Sequence, residues 1–163
     1  MIRPTTRLFG LVMSDPRVEG HVTRIYNYLF GFNGLDAAYL SFILRPEALE
    51  VAMKGFVDTG RCEALHVAPA HQRGVARWLL RPEPVDTLTV KGGRAQASLV
   101  EPDPAKWLDP DAVLARAFAD IQSWFGITAH VPPDWRDVVT ETALRPCQLT
   151  SPAEEPHAAR RPT

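Results

Sequence analysis

Short apolar runs alternating with helix-period segments constrain this chain more than any other feature. Residues 8–14 (LFGLVMS), 37–44 (AAYLSFIL) and 64–68 (ALHVA) each read as a short strand of nearly continuous apolar character. Between the first two, Val22, Ile25, Tyr26, Leu29 and Phe30 recur at helical spacing, and the pattern stops near Gly31 and Asn33-Gly34. Pro46 opens a second helix with Leu49, Ala52, Met53, Phe56 and Val57 on its apolar face, and Gly60 is placed to end it. A third α-like stretch covers residues 72–80. Strands apolar on both faces, joined by helices of this length, pair in parallel through right-handed crossovers. Ligands in such sheets sit beyond the carboxyl ends of the strands, which singles out two segments read as loops, residues 14–21 and 67–72.

After Pro84 the period changes. Residues 86–90 and 94–100 flank Lys91-Gly92-Gly93, the signature of a hairpin with a tight glycine turn. Residues 101–111 (EPDPAKWLDPD) form a proline-interrupted connection to a helix with Asp109 as N-cap and Pro110 at its first position. That helix carries Leu114, Ala117, Phe118, Ile121 and Phe125 on one face and ends at Gly126, and beyond Val131 the signals weaken. The expected fold is a single three-layer α/β domain over residues 1–145, with a mainly parallel β-α-β-α-β sheet, an added hairpin and helices on both faces. Residues 146–163 are expected to be a disordered tail, since residues 151–163 offer proline, alanine and charge with almost nothing to bury.

Composition narrows the function classes. A chain of 163 residues suits one domain, and 45% hydrophobic with 23% charged residues excludes disorder throughout. A formal charge of −1 gives no electrostatic reason for a nucleic-acid or anionic-membrane partner. No apolar run is long enough to cross a bilayer, and residues 1–6 show no secretory pattern. Cys62 and Cys147 lie far apart outside any CxxC or zinc spacing, so a reduced, cytoplasmic protein is expected.

There is no GxGxxG after a strand, no GxxxxGK[ST], no HExxH and no GxSxG, so no cofactor and no metal is expected. Hydride transfer needs a nicotinamide site, and a Rossmann site of the usual kind needs glycines close to the pyrophosphate. His66 alternates with apolar neighbours and faces either side of its strand. His71 follows Pro69-Ala70 at a strand end, where it is either a proton donor or acceptor facing a ligand or a surface histidine opening the next helix. Arg17, His21 and Arg24 stand in or after the first strand-helix segment, as a carboxylate grip or as solvated surface. Asp86, Glu101 and Asp103 near the hairpin ends are candidate bases or hydroxyl-binding carboxylates, or acids kept for solubility.

Taken together, GLVMSDPRVEGHVTRIYN, EALHVAPAHQ and VDTLTVKGGRAQASLVEPD resemble, in order and spacing, three motifs of the N-terminal substrate-binding domain of shikimate dehydrogenases, over about residues 8–103. The resemblance implies that fold and a set of site positions. The two serines of the family's Ser-x-Ser-Pro loop fall on Gly20 and Val22, and its proline on Thr23. The asparagine and threonine of its second motif fall on Leu65 and Val67, Pro69 is retained, and the catalytic lysine falls on His71. The substrate-binding asparagine of the third motif falls on Asp86 beside a retained Thr87, and the catalytic aspartate on Glu101 or Asp103.

Both serine hydroxyls are thus gone, and the cofactor domain that follows in the family has only one helix and a tail in its place. The expected function is a diverged, non-catalytic binding domain for a small polar or carboxylated cyclic metabolite, with Arg17, Gly20, His21, Val22, Arg24, Leu65, Val67, Asp86 and Asp103 around the ligand. Three alternatives remain open. One is a cofactor-independent lyase, isomerase or dehydratase using His71 with Asp86, Glu101 or Asp103, Glu101 foremost. Another is an oxidoreductase working with a separate NADP-binding subunit, and the third is a protein-interaction module. A homodimer and a complex with a separate partner subunit are the assemblies left open.

Overall fold

The computed structural model of the chain describes residues 2–144. The three apolar runs become β1 (Arg7–Met13), β2 (Ala37–Ile43) and β3 (Cys62–Val67), and the hairpin becomes β4 (Thr87–Lys91) and β5 (Arg94–Ser98). They form one sheet in the order β2-β1-β3-β4-β5, with β1 parallel to both its neighbours and the remaining pairs antiparallel. The hairpin turns on Gly92 and Gly93 at φ of 56° and 71°, a left-handed pair that matches the twist of the strands it joins.

Alternation along each strand sorts side chains into two cores. Phe9, Leu11, Met13, Tyr39 and Ala64 face α1 (Pro16–Phe32), α4 (Pro110–Phe125) and α5 (Trp135–Leu144). Val12, Leu65, Val67 and Leu88 face α2 (Leu49–Thr59) and α3 (Pro69–Trp78). The three-layer α/β arrangement with helices on both faces is therefore the observed one. The strand β2 is less buried than its composition predicts, with Ile43 57% exposed, because it is the sheet edge and no strand covers its outer side.

Helix-opening prolines correct two boundaries. Asp15 takes an extended conformation and its carboxylate accepts the Arg17 N–H at 2.9 Å, with Pro16 at the first helical position, so α1 starts well before Val22. The segment 14–21, read as a loop, is largely the opening of this helix. Pro69 likewise starts α3 directly after β3, converting most of segment 67–72 into helix. In the connection 101–111 a 3₁₀ turn, Pro104–Trp107, buries Trp107 against the first core. The helix α5, where the sequence signal had weakened, packs Trp135 and Val139 into that core.

Cys62 is a buried free thiol; Cys147 and the expected tail lie outside the described residues. No helix among the described residues is long and apolar enough to cross a membrane.

One glycine is required by close approach. A Cβ on Gly10 would stand 2.5 Å from Cε2 of Phe42 and 3.1 Å from the Leu40 carbonyl oxygen, and Phe42 is itself pinned against Phe56 at 4.6 Å between centroids. Gly10→Ala is expected to lower Tm by roughly 3–10 °C through overpacking. A thermal melt followed by circular dichroism checks this, and an unchanged Tm would mean that Phe42 yields freely.

Candidate functional site

The parity that sends Leu65 and Val67 to the α2/α3 core turns His66 toward α1 and α4. His66 is 2% exposed, and both ring nitrogens have neighbours: Nδ1 lies 2.6 Å from Tyr39 Oη and Nε2 lies 3.2 Å from Asp120 Oδ2. The same Asp120 oxygen accepts the Tyr26 hydroxyl at 2.5 Å, and the Tyr26 and Tyr39 rings stack at 4.2 Å. Strands β2 and β3 and helices α1 and α4 thus each contribute one member of a buried polar chain.

Burial pushes the His66 pKa down, outweighing its hydrogen bond with Asp120, and raises both tyrosines well above their ordinary value. Burial alone would raise Asp120, but hydrogen bonding to His66, with Tyr26 and Arg116 contributing, holds it below the usual carboxylate value. Asp120 is therefore ionised and His66 neutral. A carboxylate beside Nε2 requires that nitrogen to carry the proton, which leaves Nδ1 as acceptor for the Tyr39 hydroxyl.

A second cluster abuts the first. Asp86 is fully buried, and its oxygens accept the N–H groups of Val100 and Glu101, each at 2.8 Å, and the Thr87 hydroxyl at 2.9 Å. Arg116 from α4 places Nη1 3.5 Å from Asp86 and donates from Nη2 to Thr87 Oγ1 at 2.7 Å. Its guanidinium lies 4.7 Å over the Trp107 ring, and its Nε is 4.0 Å from Asp120.

Between these clusters lies a cavity of about 30 Å³, walled by Val22, Tyr26, His66, Glu101, Lys106, Trp107, Ala112, Val113 and Arg116. It has room for water-sized occupants and falls far short of an ordinary metabolite pocket. Glu101 and Lys106 on its wall approach to 3.5 Å. The cavity lies beside the carboxyl end of β3. The chain crosses from β1 to β2 on one side and to β3 on the other, so the topological switch falls between β1 and β3, where open α/β sheets bind ligands.

Two of the sequence-predicted site residues, Val22 and Glu101, line this cavity, and Asp86 stands behind it through Arg116. Leu65 and Val67 lie on the opposite face of the sheet. His71 is buried in the first turn of α3, its Nε2 3.0 Å from the Leu44 carbonyl, and it lines an open groove between α2 and α3. His71 and Glu101 therefore do not share a cavity. Asp103 caps the 3₁₀ turn by accepting the Ala105 N–H, and Arg17 is exposed and paired with Asp15. Gly20 packs near Arg24, while His21 and Arg24 line a separate groove beside Trp135.

Sequence reasoning left the orientation of His66 open and placed Tyr26 and Tyr39 in core elements. Lys106, Trp107, Arg116 and Asp120 were not singled out. One signal was present: Arg116 and Asp120 stand four apart beside the buried Val113, Ala117 and Ile121 of α4, so both charges ride at the margin of its apolar face. Among the described residues no three His, Cys, Asp or Glu side chains cluster as a metal site.

No protein-family model matches the sequence, and no curated protein matches it. Solved structures do match. A shikimate dehydrogenase from Aquifex aeolicus superposes with a TM-score of 0.51 at 24% identity, over 60% of this chain and 38% of that one. A shikimate 5-dehydrogenase-like protein gives 0.51 at 25% identity, over 60% and 37%. The Listeria monocytogenes shikimate 5-dehydrogenase, in complex with shikimate and NAD, gives 0.51 at 21% identity, over 59% and 35%. The match thus spans little more than a third of each of these chains. The chain is an α/β domain whose architecture resembles the substrate-binding domain of the shikimate dehydrogenases.

Proposed function

We propose that this chain is a binding domain, without catalytic turnover, for a small hydroxylated cyclic metabolite. The observation that carries the reading is the cavity at the sheet's switch point, where His66, Glu101, Lys106 and Arg116 bring polar groups into an otherwise apolar wall. Its volume of about 30 Å³ is far below that of such a metabolite, so binding requires part of the wall to give way, and the 3₁₀ turn that carries Trp107 is one of the segments forming that wall.

Binding is favoured over turnover by the protonation states around the cavity. A neutral His66 whose Nδ1 is held by a phenol of strongly raised pKa is a hydrogen-bond donor and a poor proton shuttle. Asp86 already accepts three hydrogen bonds and has little capacity left to act as a base.

Calorimetric titration with shikimate and with its uncharged methyl ester, each with and without NADP(H), tests the reading. Saturable heat with at least one of the two, unaltered by NADP(H), is expected. Val22→Ala, which enlarges the cavity, is expected to tighten that binding several-fold, by relieving the displacement that entry requires. Absence of heat from both compounds under conditions that detect millimolar affinity would overturn the proposal for this ligand class. NADP(H)-dependent turnover would support an oxidoreductase instead.

A further inference from the structure

The helical layer opposite the cavity carries a feature that local structure does not explain. Helix α3 ends in a Schellman arrangement, in which the Arg81 N–H donates to the Ala76 carbonyl at 2.8 Å and the Leu80 N–H to the Arg77 carbonyl at 3.1 Å. Leu80 takes the left-handed position of that motif at φ 55°, and it is the one non-glycine residue with positive φ among the described residues. Glycine is usual there, because a Cβ in that conformation crowds the following carbonyl oxygen. The fold gives the Leu80 side chain no burial in return, since it is 92% exposed. A strained position that presents a bare leucine to solvent points to a contact outside the chain.

Leu80 lines the open groove between α2 and α3 together with Pro46, Leu49 and Trp78. The charges along that groove are sorted by wall. Glu47, in the 3₁₀ turn Pro46–Ala48, and Glu50, in the first turn of α2, line one side, while Arg73 and Arg77, one turn apart on α3, line the other. All four are exposed, and none of their side chains forms an ion pair or hydrogen bond with another described residue. The four charges cancel, so neither a simple anion nor a simple cation is favoured as the occupant. A surface bearing the same two bands is favoured. A two-fold axis through the groove lays α2 of one copy over α3 of the other, which sets each acidic band against a basic one, twice in the same interface.

We infer that the α2/α3 groove is the interface of a two-fold homodimer, with Leu80 as its apolar contact and Glu47 and Glu50 of each copy set against Arg73 and Arg77 of the other. The ligand cavity lies on the other face of the sheet, so this dimer leaves it uncovered in both copies. Dimer and binding function therefore stand or fall separately.

Sedimentation velocity of the full chain, from micromolar to millimolar concentration, is expected to show a reversible monomer–dimer equilibrium that weakens with added salt. Leu80→Gly is expected to weaken the dimer by at least about tenfold. Glycine adopts the left-handed conformation freely, so the monomer of this variant is expected to melt no lower than that of the natural chain. Glu47→Arg/Glu50→Arg and Arg73→Glu/Arg77→Glu each place like charges across the interface and are expected to be monomeric alone. Mixed in equal amounts they are expected to form a heterodimer, since every band again meets its opposite.

A natural chain that stays monomeric throughout overturns the inference, as does a dimer undiminished by Leu80→Gly. A dimer that survives either charge reversal alone overturns it too. So does failure of the two reversed variants, each shown to be folded by circular dichroism, to associate when mixed.

Discussion

Asp86→Ala is expected to destabilise the domain by about 3–5 kcal/mol, more than any other single change in the site. Asp86 is fully buried, and its carboxylate gathers the N–H groups of Val100 and Glu101, the Thr87 hydroxyl and the Arg116 guanidinium. Removing it leaves two backbone donors without their acceptor and an arginine near the core with less compensation for its charge. Asp86→Asn keeps one acceptor oxygen and is expected to lose roughly half as much, since its amide nitrogen would face a donor.

Urea denaturation measures both losses. Native-state amide exchange at Val100 and Glu101 locates them, with those two amides expected to lose protection first. A loss below about 1 kcal/mol for Asp86→Ala would mean that the chain leaving β5 is anchored by other contacts.

The second large effect is a fall in stability on mild acidification. Burial depresses the pKa of His66 and of His21 in the folded protein. A depressed histidine stays neutral when folded while its unfolded counterpart, near 6.5, takes up a proton. The unfolded state then binds more protons, so stability is fully present above about pH 6.5 and falls as pH drops toward the folded pKa, by at most about 1.4 kcal/mol per pH unit for each histidine. Asp120, also depressed, adds a loss of the same sign at lower pH, beginning where the unfolded carboxylate takes a proton while the folded one stays ionised and complete once the folded carboxylate is protonated.

His66→Gln retains a donor toward Asp120 and does not titrate. Stability of this variant is expected to fall less steeply between pH 6.5 and 5, with the contribution of His21 remaining. Urea midpoints at four or five pH values decide it. Equal slopes in the variant and the natural chain would show that His66 already accepts a proton in the folded state.

Much of the fold was legible because it rests on local rules. Continuous apolar runs separated by helical periods dictated parallel pairing, Gly92-Gly93 dictated the hairpin, and Asp109-Pro110 with Gly126 bounded α4 to the residue. The helix starts at Pro16 and Pro69 were missed by weighting the apolar period above a helix-opening proline, which Asp15 caps in the first case and no side chain caps in the second. The site was less legible. Matching motif positions placed Leu65, Val67 and His71 at a ligand, but strand parity and an early α3 put them on the α2/α3 side.

By itself the sequence determined the layer architecture, the strand connections, the turn chemistry and the absence of a glycine-rich nucleotide motif, all of which depend on neighbours within a few residues. The tertiary structure alone decided which face His66 takes, and it alone brought Arg116 and Asp120 of α4 onto Asp86, Tyr26 and the end of β3. Those contacts join residues up to 94 positions apart. A local pattern records where a charged side chain sits on its own helix, but the partner that makes its burial tolerable is fixed only when the layers pack.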